Sequence, residues 1–356
     1  MAGVALCFHA CGINSVGGGG GASSNSASLQ TFPWPLSTPT AQGMDTIRLA
    51  EGLRQIQSNP FVFAVLVVRN DLLVVEYYSH GYVKENDFDL STASTSITSA
   101  LVGIALDQRI LPSIQEKILR YFPEFDTTHS DSRKQGWTIE QFLEMRSGIA
   151  WNENDDHSNL FNSHTNWVST SLGLPLASAP GDSFVVTTPN ANILSAILTR
   201  TTGLSTSKFA ETFLSDPLSI SVRSWATDPQ AIVLGGSGIR LTPRDFARFG
   251  QLYLHNGAID GKQIISRQWI QQSLVPRNPS GTPRGSFSSV NFGYSWWTTT
   301  NGSDSLFMTV GSAGNALYVV PTKNMIIVTI ADGEVTKLQG DANEQTMMDI
   351  VRKYFL

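Results

Sequence analysis

The spacing of apolar residues changes period along this chain, and the changes mark its elements. Met44, Ile47, Leu53 and Ile56 recur at helical spacing, which predicts an amphipathic first helix with these side chains turned inward. FVFAVLVV (61–68) and LLVVEYY (72–78) then flank Arg69-Asn70-Asp71. Two apolar runs around an Asn/Asp turn predict a β-hairpin. Toward the end come FGYSWWTTT (292–300), LFMTV (306–310), ALYVV (316–320) and MIIVTIAD (325–332), separated by Gly, Asn, Asp or Pro. These predict antiparallel strands. A closing helix capped by Asp341 would place Met347, Ile350, Val351 and Tyr354 on one face. The middle, roughly 92–235, reads as mostly helical with loops. Strands at both ends and helices between them predict an α+β fold, with one sheet built from both ends of the chain and a helical region inserted. The expected body runs over 35–356, its sheet part over about 35–91 and 236–356 and its helical part over about 92–235. No internal repeat is visible.

The first 34 residues read differently. MAGVALCFHA (1–10) is mostly apolar and ends at Cys11, and GGGGGASSNSAS (17–28) follows as a flexible linker. A Cys after a short apolar run resembles a bacterial lipoprotein leader, with Cys11 as the lipidation candidate. No Lys or Arg precedes Cys11, and Phe8-His9-Ala10 makes a poor processing site. Two readings stay open: a processed leader, giving a periplasmic or membrane-anchored lipoprotein, or an unprocessed tail on a cytoplasmic protein.

Composition narrows the chemistry. Of 356 residues 41% are hydrophobic and only 15% charged, with a formal net charge of −5. Soluble chains average about 25% charge, so this surface is neutral and polar. No Lys/Arg-rich run exists, which argues against a nucleic-acid groove. The longest apolar run, Phe61 to Val68, is far short of the roughly 20 residues that span a membrane. The only cysteines are Cys7 and Cys11, so the body has no disulfide framework, Cys-ligated zinc or cysteine nucleophile. The six histidines (His9, His80, His129, His157, His164 and His255) lack metal-ligand spacing. No metal and no cofactor is expected.

Several stretches point further. STPTAQGMD (37–45), LLVVEYYSHGY (72–82), SITSALVGIALDQ (96–108), FLEMRSGIAWNE (142–153), PLASAPGDSF (175–184), GGSGIRLTPRDFARFG (235–250), FGYSWW (292–297) and ALYVVP (316–321) occur in this order. Together they resemble the serine β-lactamase, penicillin-binding-protein and esterase superfamily, in its class-C-like branch. The resemblance runs from about residue 35 to the end. It implies a β-lactamase/transpeptidase-like fold, an antiparallel sheet flanked by terminal helices, with the active site in the cleft beside the helical region.

The family's chemistry uses a Ser-x-x-Lys at a helix start, where nucleophile and base share one face. It adds a Tyr-x-Asn and a Lys-Thr-Gly-like strand motif. In this chain SITSAL (96–101) fixes the helix frame, which places Thr92 at the Ser position and Thr95 at the Lys position. Phe184-Val185-Val186-Thr187-Thr188 puts Val186 where the resemblance implies Tyr, with Thr188 two residues on. In VGSAGN (310–315), Ser312 and Ala313 replace the third motif's Lys/His and its neighbour, while Gly314 matches and Asn315 follows. A frame shifted by one makes Ser91 the nucleophile but puts Ser94 at the base position. Ser205-Thr206-Ser207-Lys208 has the right spacing, but it follows Thr-Gly at a helix start and reads as an N-cap.

A Lys, a Tyr hydroxyl and a further cation thus become Thr, Val and Ser, each smaller and uncharged. The expected outcome is a lost acyl-transfer machinery and a neutral cleft for a small organic ligand. Thr92, Thr95, Val186, Thr188, Ser312, Ala313, Gly314, Asn315 and the aromatic Trp151 would line it. Backbone N–H groups near Thr92 and Asn315 could polarise a carbonyl without a covalent step. That leaves a non-hydrolytic isomerase or cyclase open, as well as an atypical ester or amide hydrolase using Thr92. The loop Asn152-Glu153-Asn154-Asp155-Asp156-His157 and His164 carry the other candidate bases, against a reading as solvated loop and helix caps.

Overall fold

The structure is a computed structural model and describes residues 31–125, 131–153, 160, 166–279, 283–333 and 335–356. These residues form thirteen strands and nine α-helices of five residues or more. Cys11, residues 154–157 and His164 lie outside the described residues.

The central sheet has eight strands in the order β2-β1-β13-β12-β11-β10-β9-β8. Its N-terminal contribution is the hairpin β1 (Val62–Arg69) and β2 (Leu72–Tyr78). Asn70 and Asp71 both take positive φ, 52° and 61°, which matches a two-residue turn to the twist of its strands. The C-terminal contribution is β8 (Asn278–Pro279), β9 (Val290–Phe292), β10 (Trp297–Asn301), β11 (Asp304–Val310), β12 (Ala316–Val320) and β13 (Met325–Ala331). β1 pairs antiparallel with β13, Val65 opposite Thr329 and Val67 opposite Ile327. The first and last strands of the body therefore lie side by side. Before β1, residues 35–37 join the outer edge of β2: Leu73 N–H donates to Pro35 O (2.8 Å) and Ser37 N–H to Leu73 O (3.0 Å).

Helices cover both faces of the sheet. On one face α1 (Thr46–Gln57) packs with the C-terminal helix α9 (Lys337–Ile350) and the turn after it. Their core contains Leu49, Ile56, Val65, Val67, Tyr318, Ile327, Met347 and Val351. On the other face α7 (Pro243–Leu254) lies against β12 and β13. Gly250 makes that approach possible, because a Cβ there would stand 2.7 Å from Leu317 Cδ1. α2 (Ser94–Asp107) runs through the middle with Ser94 to Ala105 all buried. Its polar side chains are spent on backbone carbonyls: Ser96 Oγ to Ser295 O (2.6 Å), Thr98 Oγ1 to Gly235 O (2.6 Å) and Ser99 Oγ to Tyr294 O (2.9 Å). α5 (Thr188–Thr202) packs on α2, with α3 (Ile139–Leu143), α4 (Trp167–Gly173) and α6 (Thr206–Ala210) against α5, and α8 (Arg267–Ser273) precedes β8. β3 (Phe88–Asp89), β5 (Ile239–Leu241) and β4 (Ser224–Trp225) form a small sheet, of which β4 alone falls within the largely helical middle. β6 (Ala258–Ile259) and β7 (Lys262–Gln263) make a hairpin.

Three expectations are corrected. In α1 the buried side is Leu49, Gly52 and Ile56, while Ile47 stands 85% exposed. The face is set by Gly52, whose missing Cβ admits Tyr354; a Cβ there would stand 2.6 Å from Tyr354 Cβ. The closing helix begins at Thr336, not Asp341. Thr336 and Gln339 form a reciprocal capping box, which satisfies the first N–H groups at a point five residues before Asp341. FGYSWWTTT is not one strand. β9 ends at Phe292, and residues 293–296 leave the ladder through Ser295 at φ 61° before β10 starts. Among the described residues no helix is long and apolar enough to cross a membrane.

Candidate functional site

Thr92 sits where β3 turns into α2. Asp89 Oδ1 accepts from Ser91 N–H (2.7 Å), and Leu90 N–H donates to Ile239 O (3.0 Å). These bonds hold Ser91 at φ 51°, an uncommon conformation for a residue with a Cβ. A short 3-10 turn, Ser91–Ala93, then feeds the helix. The end of β11 abuts this turn so tightly that a Cβ on Gly311 would lie 2.3 Å from Leu90 O.

The hydroxyls here all have partners that fix them. Thr92 Oγ1 donates to Val310 O (3.2 Å), and Thr95 Oγ1 turns back to Thr92 O (2.9 Å). Thr309 Oγ1 donates to Ala93 O (3.1 Å), and the Oγ atoms of Ser91 and Ser312 are 2.8 Å apart. None of these bonds reaches an amine, an imidazole or a carboxylate. The shifted frame fares no better, since Ser94 Oγ donates to Ser91 O (2.6 Å).

The turn between β11 and β12 forms the facing wall. Ala313 and Gly314 take φ of 59° and 97°. Asn315 is buried, its Nδ2 donating to Asp89 O (3.4 Å) and its Oδ1 accepting from Ala331 N–H (2.8 Å). Its backbone N–H, expected to face the cleft, donates instead to Ser312 O (3.1 Å) within the tight turn. α9 supports the turn from below: Asn343 Nδ2 donates to Ala313 O (2.7 Å), and Met347 lies against Gly314.

Val186, Thr188 and Trp151 form a second group at the start of α5, which packs on α2. Val186 is half-buried on the apolar cluster that contains Met145, Phe292 and Trp297. Neighbouring Phe184 meets Phe292 and Trp297 with ring centres 5.0 and 5.7 Å apart. Glu153 holds the helix start. Its Oε2 accepts from Thr188 N–H (2.9 Å) and from Trp151 Nε1 (2.6 Å), and its Oε1 accepts from Thr188 Oγ1. A carboxylate on the first N–H groups of a helix suits both the hydrogen bonds and the helix dipole. Of the two readings of Glu153 the geometry favours the cap. The Gly235–Gly236 segment closes over α5, with Asn192 Oδ1 accepting from Gly236 N–H (3.1 Å). A Cβ on Gly236 would stand 2.7 Å from Thr188 Cγ2.

The structure therefore brings Thr92, Thr95, Ser312 and Asn315 into one hydrogen-bonded group. It places Val186, Thr188 and Trp151 in a neighbouring one, and the described hydrogen bonds of Thr92 and Thr188 run to different partners. Sequence reasoning missed the Ser91–Ser312 contact and the support from Asn343. The first has no local signal. The second could have been read from Gly340, Asn343 and Met347, which share a face of α9 and have Ala313 and Gly314 against them. Ser205 is the N-cap of α6 and accepts from Lys208 N–H (3.2 Å), while Lys208 Nζ pairs with Glu211 (2.8 Å). His80 is exposed beside Ser79 Oγ (2.8 Å). Among the described residues no three His, Cys, Asp or Glu side chains gather as a metal site.

Comparison with known proteins adds the context. The beta-lactamase family model matches residues 48–350. A 6-aminohexanoate-dimer hydrolase of Paenarthrobacter ureafaciens is 26% identical over 288 residues, covering 75% of this chain and 72% of that protein. Among solved structures, a Bacillus anthracis protein provisionally named 6-aminohexanoate-dimer hydrolase superposes with a TM-score of 0.72 at 19% identity, over 92% of this chain and 88% of that one. The octameric penicillin-binding protein homologue from Pyrococcus abyssi gives a TM-score of 0.67 at 13% identity, over 87% and 79%. These two structures show the likeness of fold.

Proposed function

The chain belongs to the beta-lactamase family, within the serine hydrolase and penicillin-binding-protein superfamily, and from that premise we propose that it has lost Ser-x-x-Lys acyl transfer and keeps a neutral cleft for a small organic ligand. One observation carries the reading: Thr92 Oγ1 donates its hydrogen bond to the carbonyl of Val310 (3.2 Å), not to a base. A hydroxyl nucleophile must hand its proton to a base as it attacks. A peptide carbonyl cannot take it, and Thr95, bonded back to Thr92 O, cannot either. Val186 offers no hydroxyl to share the proton traffic.

What remains is a set of small hydroxyls at Thr92 and Ser312, with the apolar Val186 just before α5, the helix that packs on α2. It suits an uncharged molecule with a few polar atoms. The relative is named as a hydrolase of a 6-aminohexanoate dimer, which supports a short ligand of about that size. The isomerase or cyclase reading relies on open backbone donors on both walls. The Asn315 N–H is committed to Ser312 O, so that reading is the weaker one.

The test assays short-chain p-nitrophenyl esters and a chromogenic cephalosporin with the wild type, Thr92→Ala, and Thr92→Ser/Thr95→Lys/Val186→Tyr. The expected result is that wild type and Thr92→Ala are equally inert and that the triple variant gains turnover. Turnover by the wild type that Thr92→Ala abolishes would overturn the reading and make Thr92 the nucleophile of an atypical hydrolase.

A further inference from the structure

On the far side of the sheet from α7, the start of α1, the C-terminal residues after α9 and the end of β10 enclose a groove of about 410 Å³. Arg48, Arg352 and Lys353 line it, together with Ser286, Asn301 and a single carboxylate, Asp349. We propose that this groove is an oxyanion-binding site that takes a phosphate group.

The argument starts from charge. The chain carries a net −5, and arginines elsewhere in the fold hold carboxylates: Arg54 with Glu51, Arg200 with Glu124, Arg240 with Asp87, Arg244 with Glu76 and Arg284 with Glu344. Among the described residues Arg48, Arg352 and Lys353 have no carboxylate within ion-pair distance, yet they converge on one concavity. Like charges held together in this way raise one another's energy, and a bound anion relieves it.

The two guanidinium groups are also aimed. Arg48 Nε donates to Lys353 O, and Arg352 Nε donates to Asn301 Oδ1 (3.3 Å). Both forks are thereby anchored at Nε, and their terminal nitrogens are left for a ligand. Planar forks bind tetrahedral oxyanions with paired hydrogen bonds, which a lysine ammonium supplements as a point charge. The Ser286 hydroxyl adds a further donor. A phosphate dianion offers enough acceptors for this set, and its charge matches the groove's excess of two cations over Asp349. The same chemistry is presented by a soluble phosphate ester and by a phospholipid headgroup. Ile47, next to Arg48, stands 85% exposed, a position from which it could enter a lipid surface.

The test has two arms on the full chain. Inorganic phosphate and glycerol 1-phosphate are titrated by calorimetry, and vesicles of phosphatidylglycerol are compared with vesicles of phosphatidylcholine by co-sedimentation. Each is repeated with Arg48→Gln/Arg352→Gln, and with Arg109→Gln/Arg267→Gln as a control of equal charge change at exposed arginines elsewhere. The expected result is binding in at least one arm that weakens at least about tenfold in the first variant and is kept by the control. Should the first variant unfold, Lys353→Gln, at an exposed side chain, is expected to weaken binding in its place. No binding in either arm, or equal weakening by both pairs, overturns the proposal. Binding of phosphate alone assigns the site to a soluble ester, and binding of phosphatidylglycerol vesicles alone assigns it to a membrane surface.

Discussion

At the scale of single residues, Asp245 in α7 makes the sharpest statement about pH. Burial pushes its carboxyl up to about 6 from an ordinary 3.8. Hydrogen bonds from Phe32 N–H (2.9 Å) and Thr242 Oγ1 (2.8 Å) only partly oppose this. The unfolded chain ionises the group near pH 4, whereas the folded chain resists until about 6. Stability therefore falls as pH rises through that interval and levels off above it. A shift of this size is worth roughly 3 kcal/mol. Urea unfolding of the wild type and Asp245→Asn at pH 4 and 7 should show the wild type losing about that much relative to the variant. An unchanged difference between them would mean that the carboxyl is ionised without penalty. Glu153 calls for the opposite kind of experiment. Glu153→Ala removes the acceptor for Thr188 N–H and Trp151 Nε1, and a loss of about 1 kcal/mol in urea is expected. That Thr92 and Thr95 stand at the start of α2 and Val186 just before α5 could be read in the sequence because motif frames are local. The contact of Ser91 with Ser312 could not, since its partners are 221 residues apart and hydroxyl pairs leave no periodic trace.

At the scale of elements, α2 illustrates what close approach demands. Gly103 faces Trp269 of α8, and a Cβ there would lie 2.3 Å from the ring's Cδ1. Alanine is the better helix former by up to about 1 kcal/mol, but forcing a methyl into a packed ring costs about 1–3 kcal/mol. Gly103→Ala is therefore expected to lower the urea midpoint, and a raised midpoint would show that the Trp269 ring yields freely. The hairpin and the last three strands were legible because apolar runs of strand length ended at turn residues. The limits of α1 and α9 were less so. Periodicity nominated Ile47, but the inward face was chosen by where Tyr354 could reach Gly52. Asp341 has the right chemistry for a cap, yet Thr336, five residues earlier, caps the helix with Gln339. Both outcomes depend on partners the local pattern does not contain.

At the scale of the whole molecule, the sheet closes only when both ends of the chain are present. β1 hydrogen-bonds β13, so a chain lacking residues 325–356 leaves the apolar β1 and β12 as open edges. Such a truncation is expected to move from the soluble to the insoluble fraction on expression, and a soluble, monomeric product would contradict this account. That two-ended architecture was readable from the order of strand and helix patterns, because it follows from chain order alone. The intact sheet treats its outer edges quite differently. At β2 the segment 35–37, anchored by buried Trp34, already occupies the first ladder positions. At β8 the edge presents Pro279, which has no N–H to offer. A strand from another molecule would have to peel away the first segment or dock against a proline. Fibre-like stacking in concentrated solution is therefore expected to stay blocked for as long as Trp34 is seated, and clipping the chain between Trp34 and Thr46 is the step expected to release it.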